Sequence, residues 1–177
     1  MPRKTTHTLL RERHTLVYSS ELFVRAPAER VFAVVKGIGG ERGWLFADFL
    51  WRWRARMDEW AGGVGMTRQR RDPDELRVGD VVDFWRVQEY KPCRFLRLKA
   101  EMKLPGRAWL QFHLEPAEGG ALLCSEALFM PNGILGDLYW AALYPVHVFL
   151  FNGMLRAIAA RAERSTGALA ERVTTVT

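Results

Sequence analysis

The spacing of apolar positions divides the first third of the chain into one strand and two helices. Residues 15–25 are rich in β-branched and aromatic side chains, which is typical of a strand. Residues 27–36 begin with a proline, which can open a helix, and place apolar side chains three and four positions apart. Glycines follow them, so a helix is predicted over these residues. Residues 44–60 repeat the helical spacing. The apolar side of this second helix is predicted to comprise Phe46, Phe49, Trp53, Met57 and Trp60.

From residue 65 onward the apolar period changes to two, which predicts strands. A short strand is predicted at residues 65–70. Four longer strands are predicted after it, at residues 81–90, 95–104, 107–115 and 121–130. In the second of these, Leu96 and Leu98 alternate with Arg97 and Lys99. One face of the sheet is therefore predicted to be apolar and the other exposed to solvent. Short turn sequences join the strands, and neighbours are therefore predicted to pair antiparallel.

Residues 132–164 predict a long closing helix with an unusually apolar centre. Residues 138–155 contain no Asp, Glu, Lys or Arg, and they meet the lower length limit of a membrane span. Pro145, His147 and Asn152 lie within that stretch, and such residues are unfavourable in a lone helix that faces lipid. A one-sided sheet also needs a cover for its apolar face. We therefore predict an α+β fold, in the order strand, two helices, four to five antiparallel strands and a covering helix.

One domain accounts for nearly all of the chain. The predicted organisation is a basic N-terminal arm at residues 1–14, a single domain at residues 15–166 and a C-terminal tail at residues 167–177. The start of the sequence lacks the apolar stretch of a secretory signal. Cys93 and Cys124 lack the spacing of a zinc module or a disulfide framework. The cytoplasm is the expected location, and no metal site is expected.

The charge balance is basic, with 26 Lys and Arg against 20 Asp and Glu, for a net charge of +6. The cations are spread along the sequence and are densest between Arg52 and Arg71. No RNA-binding, zinc-finger or helix-turn-helix pattern accompanies them, so a solvated basic face is favoured over a specific nucleic-acid site. Such a face would also allow weak contact with an anionic membrane surface.

The predicted element order resembles the helix-grip fold of the SRPBCC superfamily, which contains START lipid-transfer domains, polyketide cyclases and the birch-pollen allergen. The segment APAERVF at residues 26–32 resembles the entry into the first helix of that superfamily, and VGD at residues 78–80 resembles its turn into a central strand. Three longer segments are similar to an uncharacterised bacterial subfamily; they are residues 70–87, 101–112 and 138–155. The resemblance covers about residues 16–165. It implies a strongly bent sheet around the last helix, with a cavity between them.

Members of that subfamily are often fused behind an epimerase-like, NAD(P)-binding dehydrogenase domain, so a separate partner protein of this kind is one expectation. In this chain, residues 37–43 superficially suggest a dinucleotide loop. Arg42 stands where the last glycine of that motif is required, and the loop follows a helix, whereas a phosphate loop must follow a strand. No cofactor is predicted.

The cavity implied by the resemblance would be lined by apolar residues and a few polar ones. The predicted ligand-binding residues are Trp85, Leu98, Met102, Leu110, Phe112, Cys124, Glu126, Tyr144, His147 and Phe151. Candidate acid or base groups within it are Asp83, Glu126 and His147. Strand register leaves Asp83 open: a four-residue turn at residues 91–94 puts it on the inward face, and a three-residue turn puts Val82, Phe84 and Arg86 there instead.

Three functions follow from these features. The favoured hypothesis is a non-enzymatic binding or carrier domain for a lipid, isoprenoid or polyketide-like molecule, because no nucleophile motif such as GxSxG is present. The second is a cyclase, dehydratase or isomerase that uses the three acid or base groups. The third is a protein that contacts a membrane surface or a dehydrogenase subunit through the helix at residues 44–60, which carries Arg52, Arg54 and Arg56.

Overall fold

The structure is a computed structural model that describes residues 6–12, 14–60, 62–63, 65 and 70–174, with side chains described within 14–60, 62–63, 65 and 70–164. This part of the chain forms seven strands and three α-helices. The strands are β1 (Thr6–Glu12), β2 (Thr15–Val24), β3 (Val81–Val82), β4 (Trp85–Lys91), β5 (Phe95–Ala100), β6 (Gly106–Ala117) and β7 (Gly120–Pro131). The helices are α1 (Ala28–Lys36), α2 (Asp48–Trp60) and α3 (Gly133–Thr174).

The predicted α+β class and element order are confirmed. All strand pairs are antiparallel, and the order across the sheet is β1-β2-β7-β6-β5-β4-β3. Two boundaries differ from the prediction: residues 6–12 of the predicted arm form the edge strand β1, and the predicted tail continues α3 to Thr174. The predicted strand at residues 65–70 lies largely outside the described residues.

The inner face of the sheet, defined as the face that contacts α3, is set by the register of its central strands. Tyr18 on β2 pairs with Ala127 on β7, and Ala127 pairs with Leu110 on β6. The Tyr18 ring stacks on Phe151 of α3 with 6.2 Å between the ring centroids. Residues alternating with these point to the outer face. The predicted inward direction of Leu96, Leu98, Leu110 and Phe112 is confirmed, since all four are buried.

The two halves of α3 differ in burial. In the C-terminal half, Met154, Leu155 and Ile158 are fully buried against the sheet and α1. The segment Gly133–Arg164 is long and apolar enough to cross a membrane, but only 22% of its most apolar stretch is buried. The interpretation of this segment as a helix covered by protein on most sides therefore holds for its second half alone.

Helix α2 buries a different side from the one predicted. Its buried residues are Trp51, Ala55 and Asp58. Trp51 stacks on Trp44 with 4.6 Å between the ring centroids. Asp58 accepts hydrogen bonds from the backbone N–H groups of Lys103, at 2.8 Å, and Gly65, at 3.1 Å. These contacts fix the helix orientation, so most of the predicted apolar side faces solvent. Its exposed members are Phe49, Trp53, Met57 and Trp60.

Part of the basic stretch is structural. The Arg70 guanidinium donates to the carbonyl oxygens of Lys36, at 2.6 Å, and Ile38, at 2.7 Å, where α1 ends. Arg71 forms an ion pair with Asp80 at 3.0 Å. A cation near the last carbonyls of a helix is favourable. Arg70 therefore holds the loop before β3 against the end of α1, and Arg71 links two ends of that loop.

Candidate ligand cavity

A cavity of about 360 Å³ lies between the inner face of the sheet, α2 and α3. This volume is within the range of roughly 300–1,000 Å³ typical of small-molecule sites. Most of its lining is apolar. The lining residues are Leu50, Trp51, Trp53, Arg54, Met57, Trp85, Ala100, Met102, Leu104, Ala108, Trp109, Ala127, Leu128, Phe129, Tyr139, Trp140, Ala142, Leu143, Val146, His147, Leu150 and Phe151.

Aromatic rings on α3 and β7 form one wall of the cavity. Trp140, His147 and Phe151 are seven and four residues apart, which places them on one side of α3. Trp140 stacks on Phe129 of β7 with ring centroids 5.5 Å apart and planes 6° apart. The His147 ring lies 4.8 Å from that of Trp140 and 5.6 Å from that of Phe151. The wall is therefore a continuous aromatic surface with one imidazole in it.

Four of the lining residues each carry a buried polar side-chain atom that has no hydrogen-bond partner among the described residues. They are Nε1 of Trp51, Nε1 of Trp85, Nε1 of Trp140 and Nδ1 of His147. A buried polar group without a partner costs about 1–3 kcal/mol, and most such groups in folded proteins have one. Indole N–H is a donor only, so three of the four atoms require an acceptor. A guest molecule whose oxygen atoms reached these N–H groups would supply it.

The imidazole of His147 is neutral at pH 7. Burial lowers its pKa from the usual 6.5 to about 4, because the charged form would lose its hydration. A neutral imidazole presents one donor and one acceptor nitrogen. His147 can thus form a hydrogen bond with either a donor or an acceptor group of a guest, without adding a charge to the cavity.

Only part of the predicted ligand-binding set lines this cavity. Trp85, Met102, His147 and Phe151 do. Leu98, Leu110 and Phe112 lie on the inner face but are completely packed, outside the lining. Tyr144 packs edge-on against Tyr18, with 6.0 Å between the ring centroids.

Cys124 and Glu126 lie on the outer face of the sheet, opposite the cavity. Glu126 pairs with Ser19 and Gln111 in the register, and its carboxylate accepts a hydrogen bond of 2.6 Å from the Gln111 amide. The His113 imidazole lies 3.5 Å away. The hydrogen bond to His113 is the main reason that the pKa of Glu126 is lowered. Burial raises the pKa of the Cys124 thiol.

Asp83 also lies outside the cavity lining. It is in the turn between β3 and β4, with φ of 57°, and this turn interrupts the single strand predicted at residues 81–90. Trp85 lies on the inner face, but not through the predicted four-residue turn: Lys91 pairs with Phe95, so the turn has three residues, and a bulge between Val87 and Glu89 restores the pairing of Trp85 with Ala100. The turn between β3 and β4 removes Asp83 from that face. Its carboxylate accepts hydrogen bonds from Trp44 Nε1 at 2.8 Å and from the Gly40 N–H at 3.2 Å. The three candidate acid or base groups are therefore not brought together.

Trp51 and Trp140 are the main lining residues that the sequence did not indicate. Trp51 lies on the side of α2 opposite the predicted apolar one. Trp140 falls in a segment that is apolar on all sides, where periodicity gives no direction. The only available signal was the abundance of tryptophan, 7 in 177 residues.

Larger depressions, of about 580 Å³ and 650 Å³, lie on the outer sheet face and beside α3. The first is lined largely by charged residues. These are Glu89, Lys91, Arg94, Arg97 and Glu115. None of the unpaired buried nitrogen atoms among the described residues lies in either depression. The smaller cavity is therefore the better candidate for an apolar guest.

Comparison with known proteins assigns the fold and a family. Residues 13–154 match the family described as "Protein of unknown function (DUF2867)". No curated protein sequence matches the chain.

Solved structures share the fold at low sequence identity. A protein of Rhodobacter sphaeroides is 16% identical, with a TM-score of 0.56 over 93% of this chain and 99% of its own. The Zhui aromatase/cyclase of Streptomyces sp. R1128 is 17% identical, with a TM-score of 0.54 over 86% and 96%. The di-domain ARO/CYC StfQ of the steffimycin biosynthetic pathway is 15% identical, with a TM-score of 0.53 over 89% of this chain and 53% of that protein. Together with the geometry, these likenesses show a helix-grip fold.

Proposed function

The chain belongs to the DUF2867 family of proteins of unknown function, and from its cavity we propose that it binds or carries a hydrophobic small molecule. The guest would lie between the inner face of the sheet, α2 and α3. The observation that carries this proposal is an apolar cavity of about 360 Å³ whose lining residues include four with an unpaired, buried hydrogen-bonding atom.

The unpaired atoms define the chemistry of the guest. Trp51, Trp85 and Trp140 each carry a buried N–H donor that lacks an acceptor, and His147 adds a neutral nitrogen. A pure hydrocarbon would leave these groups unpaired, whereas a carbonyl or hydroxyl oxygen would pair with them. We therefore propose an apolar skeleton that carries several oxygens. A polyketide-like molecule fits best, and a fatty acyl or isoprenoid compound with an oxygenated end is the next candidate.

Two of the structural neighbours are named as aromatase/cyclases, and this supports a polyketide-like guest. A cyclase activity is the second candidate function. His147 is the observation in its favour, since it is the one candidate acid or base group that lines the cavity. A single neutral imidazole is a weak set for this chemistry, because Asp83 and Glu126 lie elsewhere. We therefore place binding before catalysis.

The proposal also includes a cytoplasmic location and, through the family resemblance, a separate NAD(P)-binding protein that delivers or receives the guest. Co-purification from a native extract with and without added guest would test the second point. Recovery of the same dehydrogenase in both conditions, and its loss in a tag-only control, is the supporting result.

Titration of tryptophan fluorescence tests the proposed guest chemistry. The matched probes are 1,8-dihydroxyanthraquinone and anthracene, which share a three-ring skeleton but differ in oxygen content. We expect the quinone to bind at least about tenfold more tightly, which corresponds to about 1.4 kcal/mol. Trp140→Phe, which keeps an aromatic ring and removes the N–H, should remove most of that preference. Equal affinity of the two probes would contradict the proposed chemistry, and binding of neither would contradict the carrier function.

Trp60→Phe is the matched control, because Trp60 is 86% exposed and outside the cavity lining. It should leave both affinities unchanged. Turnover is measured in the same samples by mass spectrometry of the quinone and of a linear polyketide-like precursor. Cyclised product that depends on His147 would favour the second candidate function.

A further inference from the structure

An exposed apolar stripe runs along the N-terminal half of α3. Its large members are 38–78% exposed. They are Ile134, Leu135, Leu138, Val146 and Phe149. The smaller residues Ala141, Ala142 and Pro145 are also exposed and lie between them. The spacing follows the 3.6-residue turn, so the stripe extends along one side of the helix for about 22 Å.

Helix α2 presents a second exposed apolar side. Phe49 and Trp53 are each 61% exposed, and Met57 and Trp60 lie on the same side of the helix. They are four, four and three residues apart, so they form one row. This side stays outward because Trp51, on the other side of the helix, is packed against Trp44.

The two exposed sides meet at the opening of the cavity. Trp53 and Met57 on α2 and Val146 on α3 line the cavity and are also exposed, so they lie at its mouth. Phe49 and Trp60 extend the row on α2 in both directions, and Leu138 and Phe149 extend the stripe on α3. The apolar surface is thus continuous with the entrance to an apolar cavity. Exposed patches of this extent mark an interaction site in proteins.

Charge and residue type favour a lipid surface as the occupant. Arg56 lies between Trp53 and Trp60 in the α2 row, and Arg52 lies next to Phe49; both are exposed. Among the residues whose side chains are described, no ion pair involves Arg52 or Arg56. The exposed acidic groups of α2 are Asp48, which accepts the Trp44 N–H, and Glu59. Tryptophan and arginine beside an apolar row are typical of helices that lie in a membrane interface.

We propose that the protein docks on an anionic lipid surface through these two helix sides, with the cavity mouth facing the lipid. Docking would let an apolar guest pass between membrane and cavity without crossing water. The net charge of +6 would add a long-range attraction to anionic headgroups. The surface itself is independent of the guest, so it can be tested whether or not the cavity binds the proposed molecules.

Flotation with lipid vesicles tests this proposal. The two vesicle types are phosphatidylcholine alone and phosphatidylcholine with about one third phosphatidylglycerol. We expect the wild-type protein to float with the anionic vesicles. High salt should release it from them, because salt screens the attraction to the anionic headgroups. Leu135→Ser with Leu138→Ser should weaken binding by at least about tenfold, since each substitution removes apolar area that the lipid would cover. Val78→Ser is the matched control, because Val78 is 65% exposed and belongs to neither helix, and it should bind as the wild type does.

Charge reversal gives a second, independent variant. Arg52→Glu with Arg56→Glu should lower binding to anionic vesicles by at least about tenfold and leave the weaker binding to neutral vesicles unchanged. Both positions are exposed, so the fold should be retained, and circular dichroism checks this. The proposal is overturned by absence of flotation with both vesicle types. A second copy of the chain on this apolar surface would also overturn the proposal. That result would be a stable dimer that does not bind vesicles and that the Leu135→Ser, Leu138→Ser variant dissociates.

Discussion

The Asp83 carboxylate accepts a 2.8 Å hydrogen bond from the indole Nε1 of Trp44, and both side chains are buried. Trp44 in turn stacks on Trp51, which lines the cavity. Asp83 therefore supports the cavity wall from behind. Asp83, which the sequence indicated as a candidate acid or base, thus has a positioning role: it holds Trp44, and Trp44 contacts Trp51.

Replacement of Asp83 tests this role. Asp83→Ala should lower the free energy of unfolding by about 2–4 kcal/mol, because it leaves the N–H groups of Trp44 and Gly40 without a charged acceptor. Asp83→Asn should lower it by less, since the amide oxygen still accepts and Asn tolerates the positive φ at this position. Urea denaturation measures both. Equal losses for the two variants would contradict the hydrogen-bonding role.

His147 should make the protein sensitive to acid. Its pKa of about 4 in the folded state lies below the usual 6.5, so the folded state binds fewer protons than the unfolded state between these values. Stability that is present above pH 6.5 is therefore lost as the pH falls toward 4, by about 2 kcal/mol at pH 5. The other ionisable residues in the lining are Arg54 and Tyr139.

The comparison is with His147→Asn, which stays neutral. The difference in unfolding free energy between this variant and the wild type should shift by about 2 kcal/mol in favour of the variant when the pH is lowered from 7 to 5. If the unfolding free energy of both proteins fell equally with pH, the imidazole would have to be in contact with water.

Asp58 should hold α2 over the cavity. Its carboxylate accepts from the backbone N–H groups of Lys103 and Gly65, and the Arg54 guanidinium lies 4.0 Å away. Asp58→Ala should destabilise the protein by about 2–3 kcal/mol. Amide hydrogen exchange should also become faster in α2 than in β6, because the helix loses its attachment before the sheet does. Uniform acceleration across the protein would show that α2 does not open separately.

Glu126 should be dispensable for guest binding. It lies on the outer sheet face with His113 and Gln111, so Glu126→Gln should leave the affinity for 1,8-dihydroxyanthraquinone unchanged. Stability should fall by no more than about 1 kcal/mol, because the interaction is partly exposed. A large loss of affinity in a folded variant would mean that the guest contacts the outer sheet face at Glu126.

Period-two alternation was enough to predict the sheet. The inward direction of Leu96 and Leu98 follows from strand geometry alone, and so does the covering of that face by an apolar helix. The tight turn at Asp83 could not be predicted in the same way. A carboxylate in a left-handed conformation between two short strands has the same local sequence signature as a carboxylate within one longer strand.

The cavity residues were harder to predict for a related reason. An amphipathic helix has two sides, and the sequence of α2 does not show that one aromatic residue, Trp51, packs on Trp44 while its neighbour Trp53 faces solvent. Hydrophobicity indicates that some side is buried, whereas tertiary contacts decide which one. The uncharged half of α3 has apolar residues on all sides, so the sequence does not show which side faces the sheet. The inward direction of Trp140 could therefore not be predicted.

Tryptophan indole resonances test the central claim most directly. In a ¹H–¹⁵N spectrum of protein labelled with ¹⁵N-tryptophan, 1,8-dihydroxyanthraquinone should shift the Nε1–H signals of Trp51, Trp85 and Trp140 downfield, as new hydrogen bonds form. The signals of Trp44, which is already bonded to Asp83, and of exposed Trp60 should not move. Single Trp→Phe variants assign the peaks. Saturable downfield shifts of these three buried indole signals are the predicted result, and a spectrum in which those three stay fixed while the guest binds elsewhere would contradict the account.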